Sequence, residues 1–469
     1  MPGTGRDRIR IGNGAGFWGD NLDAPIRLVE KGGLDYLTLE YLAELTLSIL
    51  AHQRKKDPQA GYVGDFTLTL ARLIPFLKSQ PNLRIVTNAG GLNSEACARE
   101  TSRLLAAAGL GAVKVAWVDG DDLMSRLPGL MEAGETFSHF DTRESSDAIR
   151  PRLVSANAYL GAAPIGQALD KGARIVITGR VADASLTVGP AMHEFGWDWQ
   201  DWDKLAIATA AGHLIECGAQ VTGGLLSRWE TVQGYAGIGY PIAELTAAGG
   251  CLITKPAGSG GKVDCDTVVE QLLYEIGNPA GYLTPDVTLD ITDVELEQAG
   301  KDVVLVRGAK GHAPPATLKV SCAYENGFAA KGDLVVCGRD AVLKAEACGK
   351  IILDRVRLAG HALQRQAVEV LGTGACLPGI AIPQTGLMEV MLRVSVWDPD
   401  KRAVERFCRE ISPLITSGPP GITGYAGSRP RSRPVLSYWP TTVAREKVRG
   451  AVHLGLAEEL SAVKAGTKP

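Results

Sequence analysis

The segment Gly212-His213-Leu214-Ile215-Glu216-Cys217-Gly218-Ala219-Gln220 holds the sharpest chemistry in the chain. Positions i, i+3 and i+4 share one helix face, so His213, Glu216 and Cys217 would project together just before Gly218 ends the helix. A carboxylate beside an imidazole fixes its tautomer and suits general acid–base work. Cys217 reads as a nucleophile or, more commonly for a free thiol, as a small packed hydrophobe. Glu40 and Glu44 flank a strand exit. Two carboxylates at one site can be driven to different proton affinities and act as acid and base, although Glu44 also reads as a first-turn helix charge. Arg180 and Asp183 follow another strand, where an arginine would hold a carboxylate or phosphate bidentately; the bland reading is an internal Arg180–Asp183 pair. Asn88, in Thr87-Asn88-Ala89-Gly90-Gly91, would donate to an oxyanion with Gly90 near the ligand, or would simply serve a turn that Asn and Gly favour.

Two glycine-rich stretches add to this. Gly12-x-Gly14-x-Gly16, followed by Phe17-Trp18-Gly19-Asp20, reads as substrate contact through Gly14 and Asp20 rather than as a pyrophosphate cradle. Gly258-Ser259-Gly260-Gly261, ahead of a helix beginning near Asp264, would bind phosphate through backbone amides, as coenzyme A would require, or form a flexible hairpin. The seven histidines have no metal-ligand spacing, so no metal site is expected.

These residues need a scaffold that brings them together. Short apolar runs at Ile9–Ile11, Tyr36–Glu40, Arg84–Thr87, Val113–Val118 and Arg174–Thr178 read as strands, and each ends in a polar or glycine-rich cluster. Helices are expected at 22–30, 43–54, from Asp65 as N-cap, at 94–108 with Ser94 as cap, and at 155–170; Asp119–Asp122 would cap a short helix. This alternation predicts an α/β fold with a mostly parallel, doubly wound sheet, its strand ends converging on one site. After residue 190 come helices at 204–217, 265–276, 341–356 and 402–411. Strands are expected at 303–306, 317–322, 334–337, 389–396 and 435–438, an α+β pattern. Two domains are therefore expected, 1–288 and 289–469, as suits a chain of 469 residues.

Composition narrows the class. The hydrophobic fraction is 45%, the charged fraction 22% and the formal net charge −3, so nothing drives binding to nucleic acid. No signal peptide or membrane span is read, and nine cysteines without a C-x-x-C pair fit a reducing, cytoplasmic setting. A homo-oligomer, most simply a dimer, is the expectation for a protein of this class.

Several blocks, in order, resemble one family. They are Gly14-x-Gly16-x-x-Gly19-Asp20, Glu40-Tyr41-Leu42-Ala43-Glu44, Thr87–Gly91, Gly179–Asp183, Gly212-His213-x-x-Glu216-Cys217-x-x-Gln220, Tyr240–Glu244, Gly277-Asn278-Pro279 and Thr416–Gly421 with Gly424-Tyr425. Together they resemble the AtuA-like family, named for acyclic terpene utilisation. The resemblance implies catabolism alongside acyl-coenzyme A enzymes. Many relatives carry a small ferredoxin-like domain at the C-terminus; with the chain ending at Pro469, a separate small subunit is the expected source. Two functions follow as expectations. One is a hydratase, lyase or isomerase acting on a branched acyl thioester or carboxylate, with no required cofactor and a coenzyme A thioester as substrate. Glu40, His213 and Glu216 would then be acid and base, Asn88 the oxyanion donor and Arg180 the carboxylate anchor. The other is a non-catalytic thioester-binding subunit partnering an acyl-CoA carboxylase.

Overall fold

The computed structural model describes residues 3–380, 386–424 and 428–462. The chain gathers into two compact units. One comprises residues up to 323 together with those from 438 onward, the other residues 324–437. The boundary expected near residue 288 lies inside the first unit.

The first unit is built on β1 (Arg8–Asn13), β2 (Tyr36–Leu39), β3 (Arg84–Thr87), β4 (Lys114–Asp119) and β5 (Ile175–Thr178). They are parallel and lie in the order β1-β2-β3-β5-β4. Strand alternation sends Leu37 and Leu39 into one apolar layer with Leu28, Leu50, Phe66, Leu73 and Leu105. That layer belongs to α1 (Ala24–Lys31), α2 (Thr46–Lys56), α3 (Gly64–Ser79) and α4 (Ser94–Ala107). On the other face, the Tyr36 hydroxyl donates to Glu194, and α5 (Ala163–Asp170), α6 (Ser185–Phe195) and α7 (Trp202–Glu216) pack in series. Leu205 to Ile215 of α7 is buried without a break, the mark of a helix enclosed on all sides. Gly218, in the left-handed region at φ 60°, turns the chain away after α7.

The sheet is mixed rather than mostly parallel. Beyond β1 it continues as β6 (Ile242–Thr246), β7 (Cys251–Thr254), β8 (Glu295–Gly300) and β9 (Val303–Arg307), in the order β1-β6-β7-β9-β8 and antiparallel throughout. At the opposite edge Ala451–Leu456 runs antiparallel to β4. Short connections join β6 to β7 and β8 to β9, as antiparallel pairing allows, whereas the N-terminal strands are separated by crossover helices.

Several local expectations change. Leu153–Ala158 is a strand, so the helix expected at 155–170 is only Ala163–Asp170. Asn93 caps α4 in place of Ser94, accepting from the Ala96 amide. Asp65 lies inside the first turn of α3 and accepts from Trp18 and Gly19. Asp122 accepts from the Met124 amide in a turn. Asp264 does cap α8 (Cys265–Leu273), through a reciprocal box with Thr267.

Thr317–Cys337 is a single strand, β10, where two were expected, and its residues from 324 onward belong to the second unit. It is followed by α9 (Ala341–Leu358), β11 (Arg365–Leu371), β12 (Glu389–Asp398), α10 (Lys401–Glu410) and β13 (Arg433–Ala444). β12 lies antiparallel between β11 and β10, and β13 also pairs with β10. This β-α-β-β-α-β connectivity is the split βαβ of ferredoxin-like folds. Val336, Leu392, Val394, Ile352 and Phe407 form its core.

Candidate functional site

At the carboxyl ends of the parallel strands lies a cleft of about 530 Å³. Six acids line it, Asp20, Glu40, Glu44, Asp183, Glu216 and Glu275, and no lysine or arginine does. Such a surface is stable only if some carboxyls keep their protons or find cations behind the wall.

Glu40 leaves the end of β2 and is 4% exposed. Its Oε1 accepts from the Asn88 side chain and, at 2.8 Å, from the Leu42 amide. Its buried Oε2 has no hydrogen-bond partner. Burial, with the charge of Asp183, holds the carboxyl well above the usual range. Two N–H groups engage Oε1, so Oε2 is the oxygen left without a donor.

Arg180 stands behind this wall, 2% exposed. Its guanidinium donates to the Leu42 carbonyl and to Asp183, and lies 4.1 Å over the Tyr159 ring. Burial alone would lower its proton affinity, but Asp183, Tyr159 and Glu40 outweigh that and hold it charged. The Arg180 amide donates to Asp121 at 2.8 Å, and Asn157 donates to the same oxygen. Burial pushes Asp121 up to about 6. A side chain on Gly179 would collide with the Asp121 carboxylate, so glycine permits this close approach.

Glu216 closes the opposite side, at the end of α7. Its Oε1 is 3.0 Å from His213 Nδ1. Burial pushes Glu216 up to about 7, against the pull of His213. His213 is buried, with Nε2 unpartnered and its ring 5.9 Å from that of Tyr282. Burial would strip its proton, but Glu216 raises its affinity above the ordinary value. The neighbouring Cys217 thiol is pushed up to about 12 by burial and by Glu216, so it stays protonated. Asn13, at the end of β1, clamps the helix end: its Nδ2 donates to the carbonyls of Ala15, Ile215 and Glu216. Gly16 lies so close to Cys217 that a Cβ there would sit 2.7 Å from the Cys217 carbonyl carbon.

Residues 9–454 match the family described as acyclic terpene utilisation family protein AtuA. The chain belongs to the AtuA family. Its role thus falls within acyclic terpene utilisation, a catabolic setting. No curated protein and no solved structure matches the chain. Among the described residues of this AtuA family chain, no helix is long and apolar enough to cross a membrane, and no three His, Cys, Asp or Glu side chains are grouped to hold a metal ion.

The residues nominated from sequence divide into three groups in this AtuA family structure. Asp20, Glu40, Glu44, Asp183 and Glu216 line one cleft. Asn88, Arg180 and His213 stand behind it, which corrects two expectations. The Asn88 side chain is fully buried, with Nδ2 donating to Glu40 and Oδ1 accepting from the Tyr41 amide, so it faces Glu40 rather than the cleft. Arg180 is buried and its guanidinium is turned to Leu42, Asp183 and Tyr159 rather than to the cleft. Gly14 and Gly90 do not line the cleft: Gly14 packs on Leu39 and Pro25, and Gly90 on Ser94 and the Thr178 carbonyl. Gly258, Ser259 and Gly261 border a different cleft, and the amides of Ser259, Gly260 and Gly261 donate to the carbonyls of Pro256, Gly237 and Gln233. Those three amides are thus engaged within the protein.

Sequence reading passed over other contributors. Asn13 and Asp121 sat inside quoted clusters, and their positions after strands were the usable signal. Lys319, 3.1 Å from Glu44 and 4.8 Å over the Tyr159 ring, comes from a distant segment with no local mark. Leu225 and Glu275 line the cleft with positive φ of 60° and 61°, a conformation rare outside glycine that clusters at functional sites.

Proposed function

We propose that the acidic cleft is an acid–base site that moves protons on an acyl thioester of terpenoid type, in a hydration, elimination or isomerisation. The observation that carries this reading is the contrast between two acids of one cleft: Glu40, held well above the usual range with Oε2 unpartnered, and Glu216, pushed up to about 7 beside His213. Neighbouring carboxyls of unequal proton affinity supply an acid and a base together. In a hydration, Glu216 would take a proton from water as the oxygen adds to the β-carbon of an enoyl thioester. The α-carbon would take the Glu40 proton, so the net change is one water added. His213 positions Glu216, Asn88 positions Glu40, and Arg180 holds the charge balance behind both.

The lining also selects the substrate. A free carboxylate would meet a lining of acids with no lysine or arginine among them, whereas a thioester carbonyl brings no charge. Glu40→Gln keeps the acceptor for Asn88 and Leu42 but removes the acidic proton. Turnover of a branched enoyl thioester should fall by about 10²–10⁴-fold with the melting temperature retained. Full turnover in Glu40→Gln would overturn the assignment.

A further inference from the structure

The first unit holds a second cleft, of about 880 Å³, with the opposite charge. Arg10, Lys31, Lys255, Lys262 and Lys301 line it, against Glu244 and Asp302. Three of the cations are fixed in place. Arg10 lies 2.7 Å from Glu244 and donates to the Gly32 carbonyl. Lys262 lies 2.7 Å from Asp264. Lys255, with only 2% of its side chain exposed, donates to the Ser259 carbonyl and lies 3.2 Å from Asp302. Asp302 itself adopts φ 57°, the left-handed region, and also accepts from the Val263 amide. Lys31 and Lys301 differ: both are exposed, and neither has an ion-pair partner among the described residues.

The glycine loop thus has a role other than the expected one. Its amides brace the loop on 222–239, and the braced loop holds Lys255 and Lys262 at the cleft wall. The result is a concave surface with a fixed basic floor and two unneutralised ammonium groups. The chain as a whole is at −3, so this local excess is not a consequence of general basicity. Ammonium groups are point charges suited to phosphate oxygens, and several converging on one concavity favour a multiply charged anion over a lone carboxylate.

We infer that this cleft binds a ligand carrying a diphosphate, with Lys31 and Lys301 as its direct contacts and Arg10, Lys255 and Lys262 setting the field. The diphosphate can belong to the free inorganic anion or to a nucleotide-bearing carrier such as coenzyme A. The inference rests on the second cleft alone and stands or falls separately from the acid–base reading.

The test is calorimetric titration of the full chain, at constant low ionic strength, with inorganic diphosphate and with coenzyme A. Wild type and Glu40→Gln should bind alike. Lys31→Ala/Lys301→Ala should weaken binding by about tenfold or more, and added salt should weaken the wild type. Both variant sites are exposed, so folding is preserved, and circular dichroism checks it. Binding of coenzyme A as well as diphosphate assigns the carrier; binding of diphosphate alone assigns the free anion. Absence of binding by both, or unchanged binding in the double variant, overturns the inference.

Discussion

The two clefts of the larger unit handle charge in opposite ways. Around the strand ends, the central charges are buried and answer one another: Arg180 faces inward to Asp183, and the buried carboxyls of Glu40 and Glu216 are pushed toward their neutral forms. In the basic cleft, Lys31 and Lys301 remain exposed and unanswered. Buried charge tunes proton affinity, because desolvation and close partners act strongly there. Exposed charge attracts ligands but alters its own protonation little. The difference also shows that an arginine after a strand need not face the ligand; here it faces the acid that would.

The comparison breaks most visibly at Arg180. Arg180→Met would leave Asp183 without its cation and the Leu42 carbonyl without its donor. It should destabilise the fold by about 3–5 kcal/mol, whereas Lys31→Met should stay within about 0.5 kcal/mol. Chemical denaturation measures both, and an Arg180→Met protein as stable as wild type would mean that the guanidinium is a ligand anchor after all.

The next largest effect is on rate. With Glu216 as base near 7, kcat/KM should fall about tenfold per pH unit below that value, and a second limb should appear at higher pH as Glu40 ionises. In Glu216→Gln the acidic limb should disappear along with most of the turnover. An acidic limb that persists in this variant assigns the base elsewhere.

A smaller effect is on stability. The folded-state affinity of Glu216 lies above its unfolded value near 4.5, so the native state binds more protons than the unfolded chain between about 4.5 and 7. Stability contributed by this group therefore falls as pH rises through that window. Glu216→Gln should flatten that part of the profile, measured by melting temperature against pH. The smallest effect is expected at Cys217. Because its thiol stays protonated, Cys217→Ala should leave turnover close to wild type, and an inactive Cys217→Ala would point to covalent catalysis.

The parallel centre of the sheet was legible because its strands are short apolar runs ended by polar clusters, of which those holding Asp20, Glu40, Glu44 and Asp183 line one cleft. Glu40 and Glu216 were legible for a related reason: a carboxylate at the end of a buried strand or an apolar helix needs a specific environment. Direction was not legible. Nothing local distinguishes an Asn88 that reaches a ligand from one that reaches Glu40, or an Arg180 facing out from one under Tyr159. The antiparallel arm was missed because its pairing depends on strands more than 200 residues apart in sequence, such as β1 with β6. The glycine loop at 258–261 was read from its flexibility, whereas its conformation is set by carbonyls from 222–239 that give no signal near the loop.

The clamp made by Asn13 bears on how the protein ages. Asn followed by Gly, as in Asn13-Gly14, is the pair most prone to spontaneous deamidation, in which the following amide nitrogen attacks the side-chain carbonyl carbon. Here that nitrogen donates to the Thr38 carbonyl at 2.9 Å, and the side-chain nitrogen is held by three carbonyls. The folded protein therefore shields this labile amide, whereas a chain that lingers unfolded would convert Asn13 to aspartate. A carboxylate at that position would turn its oxygens toward the carbonyls of Ile215 and Glu216 and repel the helix end it should hold. The lifetime of the site is thus tied to how seldom the chain opens, and peptide mass spectrometry after storage in denaturant and in native buffer would reveal it.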